Sequence, residues 1–238
     1  MSEHRTFFIQ APLLMTDKKE ILANGLDEIL KWIEQCNFKR RSIKRGQFIV
    51  EEKNKVDEIY WSEEASFSII HMAENGKTLS LGDYHSKNNF FGEIEFFSEG
   101  SGCFSFSVIA SENLELTCIP KDTLTQFFLD HSHAAFWMNH RISSIYLSTM
   151  DIAIERSLYP LKYNILKDIL RRESTSVQDM SHHYTYQEAQ RFGCSDRAYA
   201  RVIKELVNDG LIKKGTVPTQ LKAINLTQIE NYLKRYHT

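Results

Sequence analysis

Residues 185–215 read TYQEAQRFGCSDRAYARVIKELVNDGLIKKG. Two short helical stretches are separated by Gly193, and the second carries both an apolar row and several cations. That arrangement predicts a helix-turn-helix. Ala189, four residues before Gly193, is small enough for two helices to cross closely, and Gly193 supplies the backbone freedom of a tight turn. Ser195 is placed to cap the second helix, its hydroxyl accepting an amide that has no helical partner. Val202, Ile203, Leu206 and Val207 recur at helical spacing and are expected to face a core. Asp196, Arg197, Arg201 and Lys204 fall on another face, toward the N-terminal half of the helix, the part of such motifs that enters a major groove. Gly210 ends the helix. Leu211 to Lys214 and a second run around Leu221 to Leu226 predict a β-hairpin wing.

Outward from this motif, the 238 residues are enough for two domains with their own cores. Hydrophobic residues make up 42% and charged residues 25%, values of a globular chain. No apolar run nears the ~20 residues of a membrane helix, and the N-terminus lacks a signal-peptide pattern. A cytoplasmic protein without a membrane partner is expected. Cys36, Cys103, Cys118 and Cys194 are widely scattered, as free thiols rather than as a disulfide framework. The net charge of −2 hides an asymmetry: from Arg156 onward there are 14 Lys and Arg against 8 Asp and Glu. A basic end on an acidic body suits contact with a polyanion at one end only.

Residues 1–15 read as an arm, and Asp17 to Gln35 as a helix with apolar positions at Ile21, Leu22, Leu26, Ile29, Leu30 and Ile33. From Phe38 to about Ile119 the pattern becomes short β runs, among them Glu58 to Trp61, Phe67 to Met72 and Lys77 to Leu81, with a hairpin turn at Asn75-Gly76. Many short strands at this spacing predict a sandwich or jelly roll. A helix begins at Lys121, and a longer one runs from about Ser132 to Glu155. On the long helix Met138, Ile142, Ile145, Thr149 and Ile152 form one apolar row, with Tyr146, Met150 and Ala153 beside it, which predicts a coiled coil with a second copy. Pro160 disfavours helical geometry at Tyr159 and sets a hinge over Ser157 to Pro160. Leu161 to Arg172 is amphipathic, and Ser174 to Tyr184 is a polar connector. Thr227 with Glu230 is read as a capping box for a terminal helix.

The order jelly roll, long helix, hinge and winged helix-turn-helix resembles the cyclic AMP receptor protein and FNR (Crp/Fnr) superfamily of bacterial transcription regulators over roughly residues 18 to 226. The most specific pieces are Gly193 through Arg201, and Phe90-Phe91-Gly92-Glu93-Ile94 with Phe97. The resemblance implies an α+β chain with a sensor domain over residues 1–131, a dimerisation helix over 132–156 and a winged-helix DNA-binding domain over 157–238. It implies a homodimer reading double-stranded DNA, with an unidentified small-molecule effector and RNA polymerase as further partners. Arg201 matches the family's recognition arginine, which can meet guanine O6 and N7 with its fork. Asp196 and Arg197 take the other base-facing positions in an order reversed from the family's usual one. Ser195 is assigned to a phosphate, and Lys213, Lys214 and Lys222 to backbone contacts from the wing.

The effector pocket implied by the resemblance comprises Gly92, Glu93, Ile94, Cys103, Phe104 and Thr149. Cyclic-nucleotide binders place an arginine about eleven residues past the glycine, and here Cys103 and Phe104 stand there. With no cation nearby in the sequence to replace it, a buried phosphate would cost several kcal/mol. Cyclic nucleotide binding is therefore not expected, and Phe104 and Phe106 are candidates to fill the space. No cofactor is expected either. An iron–sulfur centre needs closely spaced thiolates. Of the histidines His71, His85, His131, His133 and His140, the pair His133 and His140 shares a helix face and could meet a metal, but surface or interface histidines are commoner and no metal is expected. Two other readings stand beside the regulator: a ligand-binding or interaction module that reads no DNA, and a cupin-like metal enzyme, which would need converging histidines.

Overall fold

The computed structural model describes residues 17–72, 74, 78–98, 102–174, 185–215 and 221–236. The expected arm at 1–15, the Asn75-Gly76 turn, most of the polar connector and the tip of the wing lie outside the described residues. In chain order the elements are α1 (Lys18–Gln35), β1 (Lys39–Ile43), β2 (Phe48–Val50), β3 (Glu58–Met72), β4 (Thr78–Phe91), α2 (Glu93–Phe97), β5 (Ser107–Ala110) and β6 (Leu114–Pro120). They continue with α3 (Lys121–Asp130), α4 (Ser132–Leu158), α5 (Leu161–Ser174), α6 (Thr185–Arg191), α7 (Asp196–Asn208), β7 (Ile212–Lys214), β8 (Leu221–Ala223) and α8 (Leu226–Lys234).

The first six strands form one antiparallel sheet in the order β1-β6-β3-β5-β2, with β4 on the other edge of β3. The runs Glu58 to Trp61 and Phe67 to Met72, which the pattern separates, are two ends of a single strand. Strand β3 pairs with β4 along its length, while its opposite edge changes partner: Glu58–Trp61 pair with β6 and Phe67–Ile70 with β5. The polar middle is the changeover. There Ser62 Oγ donates to the Glu64 carbonyl and Ser66 N–H to Glu112 Oε1 (2.8 Å each), so side chains replace the missing strand bonds.

Helices α1, α3 and α4 cover this sheet around a core that includes Ile29, Ile33, Ile59, Leu116, Leu124 and Met138. Trp32 of α1 stacks on Phe127 of α3 with centroids 4.1 Å apart. Glu28 of α1 caps α4 from outside: Oε2 accepts from Ala134 N–H at 3.1 Å and Oε1 stands 3.1 Å from His133 Nδ1. The approach is close because Gly25 lies at the crossing. A glycine inside a helix costs about 0.5–1 kcal/mol relative to alanine, and here the contact requires it. A Cβ would drive into the His133 carbonyl and come within 2.9 Å of Trp137 Cβ.

A second core joins α5, α7, α8 and the β7–β8 hairpin through Tyr163, Leu166, Ile169, Ala189, Tyr199, Leu206, Ile212 and Ile229. The α4 helix ends at Leu158 and Tyr159 turns extended, as the following proline requires. Two local expectations are corrected. Val207 is exposed and Tyr199 is buried in its stead, because the inward stripe runs 199, 202, 203, 206 and position 207 falls past its edge. The terminal helix is capped not by Thr227 and Glu230 but by Asn225, whose side chain accepts from Gln228 N–H at 3.2 Å. We expect Gly25→Ala to lower stability by about 1–3 kcal/mol through overpacking of the α1–α4 crossing, read as an earlier midpoint in urea unfolding with the slope unchanged.

Candidate nucleic-acid interface and ligand pocket

The turn between α6 and α7 is built from backbone bonds. Phe192 and Cys194 N–H both reach the Ala189 carbonyl at 3.1 Å, and Gly193 takes φ 61°. Ala189 is fully buried where the helices meet. Ser195 is the N-cap of α7, its Oγ accepting from Ala198 N–H at 3.3 Å. Burial of Tyr199, Val202, Ile203 and Leu206 fixes the rotation of α7, so that Asp196, Arg197, Arg201 and Lys204 are all exposed on the outer face. Lys213 and Lys214 are exposed on β7, and Lys222 on β8.

Ten of the 14 basic groups of this half fall into two sets. Arg172 reaches Asp168 at 2.8 Å and Glu188 at 3.2 Å, while Arg191 reaches Glu188 and Asp168 at 3.0 Å each. Arg171 pairs with Glu155, and Lys162 with Asp209. These cations serve the fold. Among the described residues, by contrast, Arg197, Arg201, Lys204, Lys213, Lys214 and Lys222 make no ion pair. Lys213 lies directly opposite Lys222 in the hairpin, a like-charge pairing that weakens a sheet.

The expected pocket residues come together only in part. Phe90 and Phe91 are buried at the end of β4, and Gly92 turns the chain at φ 95° into α2. The Phe104 ring packs on Gly92: a Cβ there would stand 2.9 Å from a ring atom. Phe104 therefore fills the place beside the glycine turn, with Ile59 on the same side. Cys103 bridges to Lys55, Ile94 is exposed, and Thr149 is exposed on α4. Arg141 reaches this region from α4. Its Nη2 donates to Asn89 Oδ1 at 3.1 Å, its guanidinium lies 5.7 Å from the Trp137 ring, and it acts on the Glu93 carboxyl through charge. Burial lifts that carboxyl to about 7, with Arg141 drawing it back down. Thr149 is eight residues beyond Arg141, roughly 12 Å along the helix axis, so α4 presents arginine rather than threonine to this region. No spacing rule links Arg141 to Glu93. For the Glu188–Arg191 pair, the i,i+3 spacing was a legible signal.

Three histidines, His71, His85 and His133, stand beside carboxylates, and His131 Nδ1 lies 3.0 Å from the Phe127 carbonyl. His71 stands 3.1 Å from Glu52 and His85 3.1 Å from Glu64. Among the described residues no three His, Cys, Asp or Glu side chains are grouped to hold a metal ion, and no helix is long and apolar enough to cross a membrane.

Residues 40–131 match the cyclic nucleotide-binding domain family. A comparison with curated protein sequences finds no match. Among solved structures, the chain is similar to the c-di-GMP-responsive global regulator CLP of Xanthomonas campestris, with a TM-score of 0.69 at 21% identity over 85% of this chain and 99% of the other. It is also similar to a CRP/FNR-family transcriptional regulator from Thermus thermophilus, with a TM-score of 0.58 at 18% identity over 82% and 98%. A domain of the cyclic nucleotide-binding type, followed by a long helix and a winged helix-turn-helix, gives this chain the fold of the Crp/Fnr transcription regulators.

Proposed function

We propose that the protein is a homodimeric, sequence-specific regulator of transcription that reads double-stranded DNA and catalyses no reaction. The observation that carries this reading is the set of six cations on α7 and the wing that make no ion pair among the described residues, beside arginines of the same domain that are consumed internally. Unpaired cations on a rigid, capped helix suit a polyanion. Arg201 and Arg197 are the base readers, with Asp196 accepting from cytosine N4. Ser195 and the wing lysines meet phosphates. The division of labour is a sensor over 1–131, a dimerisation helix over 132–156 and a reader over 157–238.

The long helix supports the dimer. Its apolar row is buried at Met138 against the sheet core and then emerges, with Ile145, Tyr146, Leu147, Met150 and Ile154 exposed. A second α4 packed on this stretch would remove the row from water. The signal enters through the β domain or along α4 from an effector not yet identified, and RNA polymerase is the partner in activation. With Phe104 against Gly92, cyclic mononucleotides are poor candidates for that effector.

Selection of random duplexes by the purified protein at two salt concentrations tests the reading. We expect a pseudo-palindrome with half-sites about one helical turn apart, bound more weakly as salt rises. Absence of any enriched sequence would leave an interaction module that reads no DNA. Arg201→Ala should cost about 1–3 kcal/mol at one base pair of each half-site and relax preference there, which repeating the selection on the variant will show. Ile145→Glu should place a charge in the α4 seam and convert dimer to monomer in sedimentation velocity. Finally, a carboxyl raised to about 7 contributes stability that is complete below its ordinary value and lost as pH rises through 7. Glu93→Gln should therefore gain on the wild type between pH 5 and 8 when urea midpoints are compared.

A further inference from the structure

The α4 helix meets α5 through only Tyr159 and Pro160. Local bonds steady that joint: Asn164 Nδ2 donates to the Tyr159 carbonyl at 3.0 Å, and Arg171 pairs with Glu155. Neither reaches the helix-turn-helix. Two other contacts do. Helix α6 packs against β4, so the sheet domain touches the reading unit directly. In the last turn of α4, the Arg156 guanidinium lies 5.8 Å from the centroid of Phe192, the residue before the Gly193 turn. Arg191 lies 5.9 Å from the same ring. Partial burial disfavours the charged form of Arg156, and the Asp168 carboxylate of α5 favours it. One side chain thus stands where α4, α5 and the α6 turn converge, beside the contact of α6 with β4.

We infer that Arg156 is a positioning residue that pins the helix-turn-helix against strand β4, giving the sensor domain a direct grip on the reader besides the α4–α5 joint. This rests on the proposed function for its consequence in DNA binding, though not for the pin itself. The planar guanidinium suits the role, because it can lie on the Phe192 ring while its charge faces Asp168. The pose it holds leaves Arg197, Arg201 and Lys204 exposed, so the grip orients the reading face and does not cover it. Loosening it should cost affinity by letting the two reading heads of a dimer lose their mutual spacing.

The test uses the full chain, with Arg156→Ala and Arg156→Lys compared by hydrogen exchange and by binding to the selected duplex at two salt concentrations. In the alanine variant we expect amides of both α6 and β4 to exchange about tenfold faster, with α8 and β6 unchanged. Duplex affinity should fall about tenfold with the same dependence on salt, since Arg156 neutralises no phosphate. Lysine keeps the charge without the planar face and should restore only part of each effect. Faster exchange confined to α6 would reduce Arg156 to a local packing role and overturn the pin. So would unchanged exchange in both elements, or a weaker salt dependence marking a phosphate contact. If the wild type binds no duplex at all, the exchange experiment still decides the pin while the DNA-reading function falls.

Discussion

Glu188 is a carboxylate with 1% of its surface exposed, and the C-terminal half is organised around that fact. An ionised carboxylate taken from water costs several kcal/mol unless cations and donors replace the solvent. Arg191 from its own helix and Arg172 from α5 supply the charge, and Asp168 balances the second arginine. Two acids and two bases close into a nearly neutral group that ties α5 to α6. Ala189, next in the chain, is where α7 crosses. The direction of α7 therefore follows from how this group is satisfied. Its neighbour Tyr199, buried and close to the Glu188 charge, is held as a neutral phenol for the same reason.

The β domain shows a different economy. Phe104 sets an aromatic ring against the glycine turn, and Arg141 of α4 brings a positive charge to the Glu93 carboxyl. Arg141 thereby joins the long helix to the end of β4 through Asn89, itself held by the Ser86 carbonyl at 2.7 Å. Internal groups thus connect sheet and helix.

Much of this was legible in one dimension. Periodicity located α1, α4, α5 and α7, Pro120 marked the start of α3, and Gly193, Ser195 and Gly210 marked the ends of elements for local reasons. What escaped depends on partners distant in the chain. The unity of β3 depends on two strands sharing one of its edges, and Gly25 acquires meaning only from a carbonyl on α4. The exposed cations of α7 and the wing were legible as residues. Their distinction from Arg172 and Arg191 was not, since it rests on which acids lie within reach after folding.

The hairpin at the end of the chain carries a final consequence. Its three cross-strand pairs include Lys213 opposite Lys222, so the free wing works against its own charge. An anionic surface would cancel that repulsion at the moment it attracts both ammonium groups. Added electrolyte then acts on the wing in two opposed senses. It weakens the attraction to a polyanion while it steadies the unbound hairpin, so the ordering of this element and the tightness of its grip answer to salt with opposite signs.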